Sequence, residues 1–285
     1  MTTSTLVYDT SVRPGALGLI TEAFREIWSR RRLISYIVRA DMKKKGADTL
    51  LGNLWWVIDP LLQMLVYVVL VTVIRGGNTV PAYPLFIFAA ILPWKWFSSS
   101  VGDGVVSVTS QEALIKQVQF PKIILPFAAV IAGIVSFAFG LIPLAAILLI
   151  MYPDRISATL LLIPVVAAVQ FVFTMAMATL VASANVFFRD VGNVARHVLR
   201  LWFYLSPALY SASELESLLN RHGAVSILLN LNPFTALFES YRNVIYYGTM
   251  PEWMGLFRVL GVSVVLLLVA VYLFKRLEPA FAKVL

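Results

Sequence analysis

Cysteine is absent from this chain. That excludes disulfide scaffolds, thiolate metal sites and cysteine nucleophiles, and leaves the compartment open. Histidine is almost absent: His197 and His222 are too few and too isolated for a metal cluster. There is no GxxxxGK[ST] phosphate loop, no HExxH, and no paired-acid site. The acids fall mostly in loops or near predicted helix ends, and only Asp59 and Asp103 lie within apolar runs. Catalytic residues, metal ligands and a cofactor of the chain's own are therefore expected to be none. Charge is scarce too. Charged residues make up 13% of the sequence, where an ordinary soluble protein carries about 25%. Hydrophobic residues make up 60% and the mean hydropathy is +0.83. A water-soluble fold of 285 residues could not hide so much apolar surface. The expectation is an integral membrane protein, and the net charge of +8 reads as topology rather than nucleic-acid binding.

What is present in quantity is long apolar runs. A helix needs about 20 such residues to cross the hydrocarbon core. Six runs are candidates: 54–74, 83–106, 123–151, 158–188, 198–211 and 254–274. The fifth is short, and the third and fourth are long enough to tilt or extend beyond the lipid. The fold class is thus all-α and polytopic, with residues 1–53 as a cytoplasmic or interfacial segment and 54–285 as the transmembrane domain. The opening "MTTSTLVYDTSVRPG" is polar and does not read as a secretory signal.

Basic residues set the direction. Nine Lys or Arg precede the first run, including Arg30, Arg31, Arg32, Lys43, Lys44 and Lys45. With Lys116, Lys122, Arg189, Arg196, Arg200, Lys275, Arg276 and Lys283 they place 17 basic residues on one side. Arg75, Arg155, Arg221, Arg242 and Arg258 make five on the other. The bias puts both termini in the cytoplasm.

Leu17, Ile20, Phe24, Ile27, Trp28, Ile34 and Val38 recur at three- and four-residue spacing beside basic residues. This predicts an amphipathic helix over 17–38 lying in the interface; a soluble helix packed on a partner shows the same pattern. On the outer side, 212–253 holds two apolar stretches too short to span. Asn232 can cap and Pro233 suits a first helical position, while Gly248 can end that helix. Two short re-entrant helices are expected there, with a flat interfacial loop as the alternative. Asp59, beside Pro60, reads as a helix-start acid. Glu239 and Arg242 stand three apart and can pair on one face.

Four stretches, in order, resemble a known family. "LLGNLWWVIDPLLQ" (50–63), "QEALIKQVQFPKIILP" (111–126), "FFRDVGNVARHVLRLWFYLSPALY" (187–210) and "LNPFTALFESYRNVIYYG" (231–248) are similar to ABC-2 type permease subunits. The Wzm/TagG-like group, which exports O-antigen, teichoic acid or wall galactan, is the nearest likeness. Gly52-Asn53 departs from the Gly-Pro common there.

The resemblance implies a bacterial inner-membrane half-transporter. Two copies of the permease pair, two copies of a separate ATPase supply ATP and Mg chemistry, and an isoprenoid-linked polysaccharide passes between the permeases among membrane lipids. It implies ATPase coupling through Gln111, Glu112, Leu114, Ile115, Lys116, Phe120 and Lys122, where the residues alone fit either a solvated loop or a short amphipathic helix. It implies a substrate path along Trp55, Trp56, Tyr67, Trp202, Phe203, Tyr204 and Tyr210, whose rings equally suit an interfacial aromatic belt. Glu239, Tyr241, Arg242, Tyr246 and Tyr247 are expected near an outer gate. A drug or small-lipid ABC-2 exporter shares this architecture. A membrane enzyme acting on lipid-linked sugars would need acids or a metal site, and an ion-coupled transporter more intramembrane charge.

Overall fold

The computed structural model describes residues 15–47, 49–74, 80–210, 229 and 231–285. Secondary structure among them is helical throughout. Two helices precede the first span: α1 (Ala16–Ser29) and α2 (Arg31–Gly46). Next come α3 (Trp55–Ile74), α4 (Tyr83–Ser107), the short α5 (Glu112–Gln117), α6 (Ile124–Met151) and α7 (Ile163–Phe187). The chain ends with α8 (Val191–Leu205), α9 (Pro233–Arg242) and α10 (Trp253–Val284).

Five helices are long and apolar enough to span a membrane: α3, α4, α6, α7 with its preceding 3-10 turn, and α10. They coincide with five of the six predicted runs, and the chain is an integral membrane protein. The remaining run is carried by α8, which differs. Its 15 residues cover about 22 Å at 1.5 Å each, short of the ~30 Å core. It ends at Ser206-Pro207, where proline can neither donate nor continue the helix.

The helix α4 lies innermost. Every residue from Leu85 to Trp94 is buried, enclosed by α3, α6, α7 and α9. By contrast, α3 buries only Pro60 and Val71, so Leu62, Leu65, Val66, Val69 and Val73 face outward. Close approach of α4 to α6 depends on two glycines. A Cβ on Gly133 would sit 2.0 Å from Ser100 Oγ and 2.8 Å from Trp96, and one on Gly140 2.1 Å from Leu92. Between helices in lipid, such small residues permit the backbone contact that drives association. Gly133→Ala is expected to cost about 1–3 kcal/mol by overpacking, read as a lower melting temperature in detergent. Gly261→Ala, with nothing within 4 Å, is the control and should be neutral or stabilising.

The predicted amphipathic helix 17–38 is two helices. Arg30 leaves helical geometry (φ −100°, ψ 17°), because the halves bury against different partners. Ala23 of α1 packs towards α10, while Ile34 and Val38 of α2 pack towards α6. Leu17, Phe24 and Trp28 form an exposed apolar stripe among the described residues. The second short outer helix forms as expected. Asn232 Oδ1 accepts from Phe234 N at 3.0 Å, and a π turn (Asn243–Tyr247) closes on Gly248 with φ +66°. Its predicted partner helix, around Ile227, lies outside the described residues.

Candidate functional site

The predicted coupling residues gather at the basic end of the bundle, where α4, α7 and α10 finish and α6 begins. In α5, Ile115 is buried with Ile34, Val38, Ile123 and Phe281, and Leu114, Lys116 and Gln111 face outward. Lys116 Nζ donates to Glu112 Oε1 at 2.6 Å and to the main-chain oxygen of Leu285 at 2.8 Å. The hydrogen bond from Lys116, then its charge, holds the Glu112 carboxyl below its ordinary range. This pair is therefore intact above the usual glutamate pKa and is lost only as pH falls through the lowered value. Phe120 packs partly on the same cluster. The Lys122 main-chain N–H donates to Glu278 Oε1 at 2.6 Å.

That last bond leads to a hub the sequence pattern does not disclose. Lys275, 7% exposed, reaches three carboxylates: Glu26 at 2.9 Å, Glu278 at 3.0 Å and Glu22 at 3.2 Å. It ties α1 to α10, and Glu278 ties α10 to the segment following α5. A second knot joins α2 to α4, where Lys45 meets Asp103 at 2.7 Å and Asp41 at 3.2 Å. Desolvation would lower the Lys45 pKa, but the two aspartates outweigh it and hold it above the ordinary lysine value.

Two hollows open at this end of the bundle. One of about 670 Å³ is mainly apolar, bounded by α2, α4, α5 and α6 and lined by Leu33, Ile37, Leu114 and Ala128 among others. The other, of about 590 Å³, opens between α4, α5 and α8 beside Arg189 and Arg196. Further along the bundle, Asp59 of α3 pairs with Lys95 of α4. Asp59 is thus a partner across helices and not merely a helix-start acid. Two opposite charges in neighbouring spans lower each other's cost in the membrane.

The aromatic residues of the predicted path divide. Trp55 and Tyr204 face outward, at 42% and 51% exposure. Trp56 rests on Phe139 and Tyr67 on Phe203, ring centres 5.1 and 5.4 Å apart. Tyr210 donates to the Tyr204 carbonyl at 3.2 Å. Trp202 is turned inward among Trp94, Phe97, Phe173 and Phe234, its Nε1 donating to Asn232 Oδ1 at 3.0 Å. Phe203 is buried beside it. In this conformation Phe203 is thus a core residue and Trp202 is partly buried against the core, edge-on to rings of α4, α7 and α9.

The predicted outer gate divides in the same way. Glu239 and Tyr247 are exposed. Tyr241 is 0% exposed and Tyr246 is buried, its hydroxyl donating to the Pro81 carbonyl. Arg242 is buried, with its guanidinium over the Phe86 ring. It donates to the carbonyls of Phe86, Pro207, Ala208 and Tyr210. The three buried residues hold the far end of the bundle together.

Replacing the outward rings and the inward ones should therefore give opposite results. Tyr204→Leu and Trp55→Leu are expected to leave the melting temperature nearly unchanged. Trp202→Leu removes a partly buried ring packed against the core, along with its hydrogen bond, with an expected loss of about 1–3 kcal/mol. Thermal unfolding of the three purified variants compares them directly.

The family described as ABC-2 type transporter matches residues 32–246 of this chain. The chain is similar to the O-antigen export system permease protein RfbA of Myxococcus xanthus, 36% identical over 259 residues. That likeness covers 91% of this chain and 97% of the relative. It is also similar to an O-antigen export system permease protein RfbA of Klebsiella pneumoniae, 27% identical over 255 residues, or 89% and 95% of the two chains.

Proposed function

This chain belongs to the ABC-2 type transporter family, and from that premise we propose that it is the permease subunit of an ATP-driven exporter of a lipid-linked polysaccharide. The observation that carries the reading is the likeness, over nine-tenths of the chain, to a permease named for O-antigen export. The missing phosphate loop fits a division of labour in which a separate ATPase subunit binds ATP and Mg. Two copies of each subunit, and a bacterial inner-membrane location with both termini cytoplasmic, complete the proposal. The concentration of basic residues at one end of the bundle supports that orientation.

In this reading α5 is the lever. Its Leu114 and Lys116, with Gln111 just before it, are available to an ATPase groove, and Ile115 anchors it to α2 and α10. A push on α5 is passed on through main-chain contacts to Lys122, then Glu278 and α10. The sparsely buried α3 supports a second copy as its neighbour, with Trp55 and Tyr204 offering ring faces to sugars. Such stacking is weak and independent of sequence along the polymer, as a sliding chain requires.

Deleting the gene should remove the polymer from the cell surface, leave its lipid-linked form inside, and be reversed by the wild-type gene. A strain that keeps its surface polymer but changes in resistance to amphiphilic drugs would favour the small-lipid or drug exporter instead.

A further inference from the structure

We propose that the hollow between α4 and α8 is the site where the phosphate-bearing headgroup of the lipid-linked substrate, with its first sugar, docks before export; this rests on the function proposed above. Its volume of about 590 Å³ falls within the ~300–1,000 Å³ of ligand sites. Arg189 and Arg196 line it, both on the exposed start of α8 or just before it. Guanidinium groups bind phosphate oxygens bidentately, which a lysine pair would not do.

The negative groups in the wall share one cation, and the charge of Arg189 also acts on Glu112. Glu112 and the main-chain oxygen of Leu285 both accept from Lys116. Lys116, Arg189 and Arg196 together outnumber these acceptors and leave the hollow net positive. Arg196 Nη2 also donates to Asn193 Oδ1, which leaves its remaining donors for a ligand.

A second observation is independent of charge. Asn185 lines the same hollow and is only 4% exposed. Its Nδ2 donates to Thr109 Oγ1 at 3.3 Å, and that hydroxyl donates in turn to the Val106 carbonyl. Asn185 Oδ1 is left without a hydrogen-bond partner among the described residues. A buried acceptor without a donor costs about 1–3 kcal/mol, and such exceptions call for an occupant. A sugar hydroxyl supplies the missing donor; a phosphate alone does not. A Cβ on Gly192 would lie in ordinary contact with the hollow's wall, 3.5 Å from Val105 and 3.7 Å from that oxygen, so a large side chain there would reach into the hollow. Gly102, also in the wall, shares a helix face of α4 with Ser99 and Lys95.

The test is calorimetric titration of the purified permease in neutral detergent with farnesyl diphosphate, repeated with inorganic pyrophosphate and with phosphatidylglycerol. The wild type should bind farnesyl diphosphate, and pyrophosphate should compete while phosphatidylglycerol should not. Arg189→Gln and Arg196→Gln should each weaken binding at least tenfold. Gly192→Leu should plug the hollow with every charge kept, and each variant's melting temperature checks that it is folded. No binding by the wild type, or binding at the wild-type level both when Arg189→Gln and Arg196→Gln are combined and in Gly192→Leu, would overturn the site. Competition by phosphatidylglycerol as strong as by pyrophosphate would overturn it in favour of a general anionic-lipid contact. Unchanged binding with loss of ATPase co-purification would overturn it in favour of an acidic protein surface. The deletion strain keeps the two levels apart. Lost surface polymer with unaltered binding in the variants refutes the site alone, and retained surface polymer refutes the function.

Discussion

Lys275→Met is expected to destabilise the protein by about 3 kcal/mol and to free α1 from the bundle. The variant keeps the buried stem and removes only the cation, so packing changes little. Three carboxylates then face one another with no counter-charge: Glu22, Glu26 and Glu278. Removing one member of a buried ion pair costs about 3–5 kcal/mol. The lower end applies here because Glu22 is about half exposed and water screens part of the repulsion. Burial first, and the neighbouring carboxylates after it, raise the Glu26 pKa, with Lys275 working against them. The folded state thus holds the Glu26 proton more tightly than the unfolded chain. Stability falls as pH rises from the ordinary glutamate value through the raised one, and is level above it. Without Lys275 that window widens upward, so the variant's deficit should be larger at pH 8 than at pH 5. Adding Glu26→Gln to Lys275→Met should recover part of the loss at pH 8. Melting curves at the two pH values, with limited proteolysis of α1 at Arg25, read both effects. Equal deficits at both pH values would show that the hub is a packing contact and not an electrostatic one.

Arg242→Leu is expected to be at least as severe, at the other end of the molecule. The chain at 206–210 leaves α8 without continuing as helix, yet Ser206, Pro207 and Ala208 are buried. Backbone carbonyls in that position need donors from elsewhere. Arg242 supplies them at 2.7 Å to Pro207, 2.6 Å to Ala208 and 3.2 Å to Tyr210. Each acceptor left unpaired costs about 1–3 kcal/mol. Arg242→Lys keeps the charge, but it has a single nitrogen and no flat face for the Phe86 ring. It should recover less than half of the loss. Hydrogen exchange at 206–210 gives the local readout: fast exchange in Arg242→Leu and intermediate exchange in Arg242→Lys. Exchange at the wild-type rate in both would refute the capping role.

The parts of this fold that are legible in the sequence follow from one local rule. A run of about 20 apolar residues forms a span; four predicted runs match helices closely, as in Trp55–Ile74 and Ile124–Met151, while the helix at the last run continues past 274 to Val284. Capping is also local, so Asn232, Pro233 and Gly248 are readable from their neighbours alone. What escapes is anything set by distant partners. Glu26 and Lys275 are 249 residues apart, and nothing in the spacing around either announces the other. The bend at Arg30 arises because α1 and α2 find different helices to pack on. Aromatic residues mislead for a related reason: composition marks Trp202 and Tyr204 equally, but helix phase sends the first inward and the second outward. At the candidate site the stretch 187–200 stands out by its charge, whereas the unpaired Oδ1 of Asn185 is visible only in three dimensions.

In the proposed function, this chain moves a lipid-linked glycan using energy released by another subunit. Its most direct test is translocation in proteoliposomes containing the permease and its ATPase subunit, with a fluorescent lipid-linked oligosaccharide in one leaflet and a membrane-impermeant quencher outside. The account predicts ATP-dependent movement across the bilayer that needs both subunits, together with no ATP hydrolysis by the permease alone. Robust hydrolysis by the purified permease, or glycan movement at full rate without the ATPase, would contradict it.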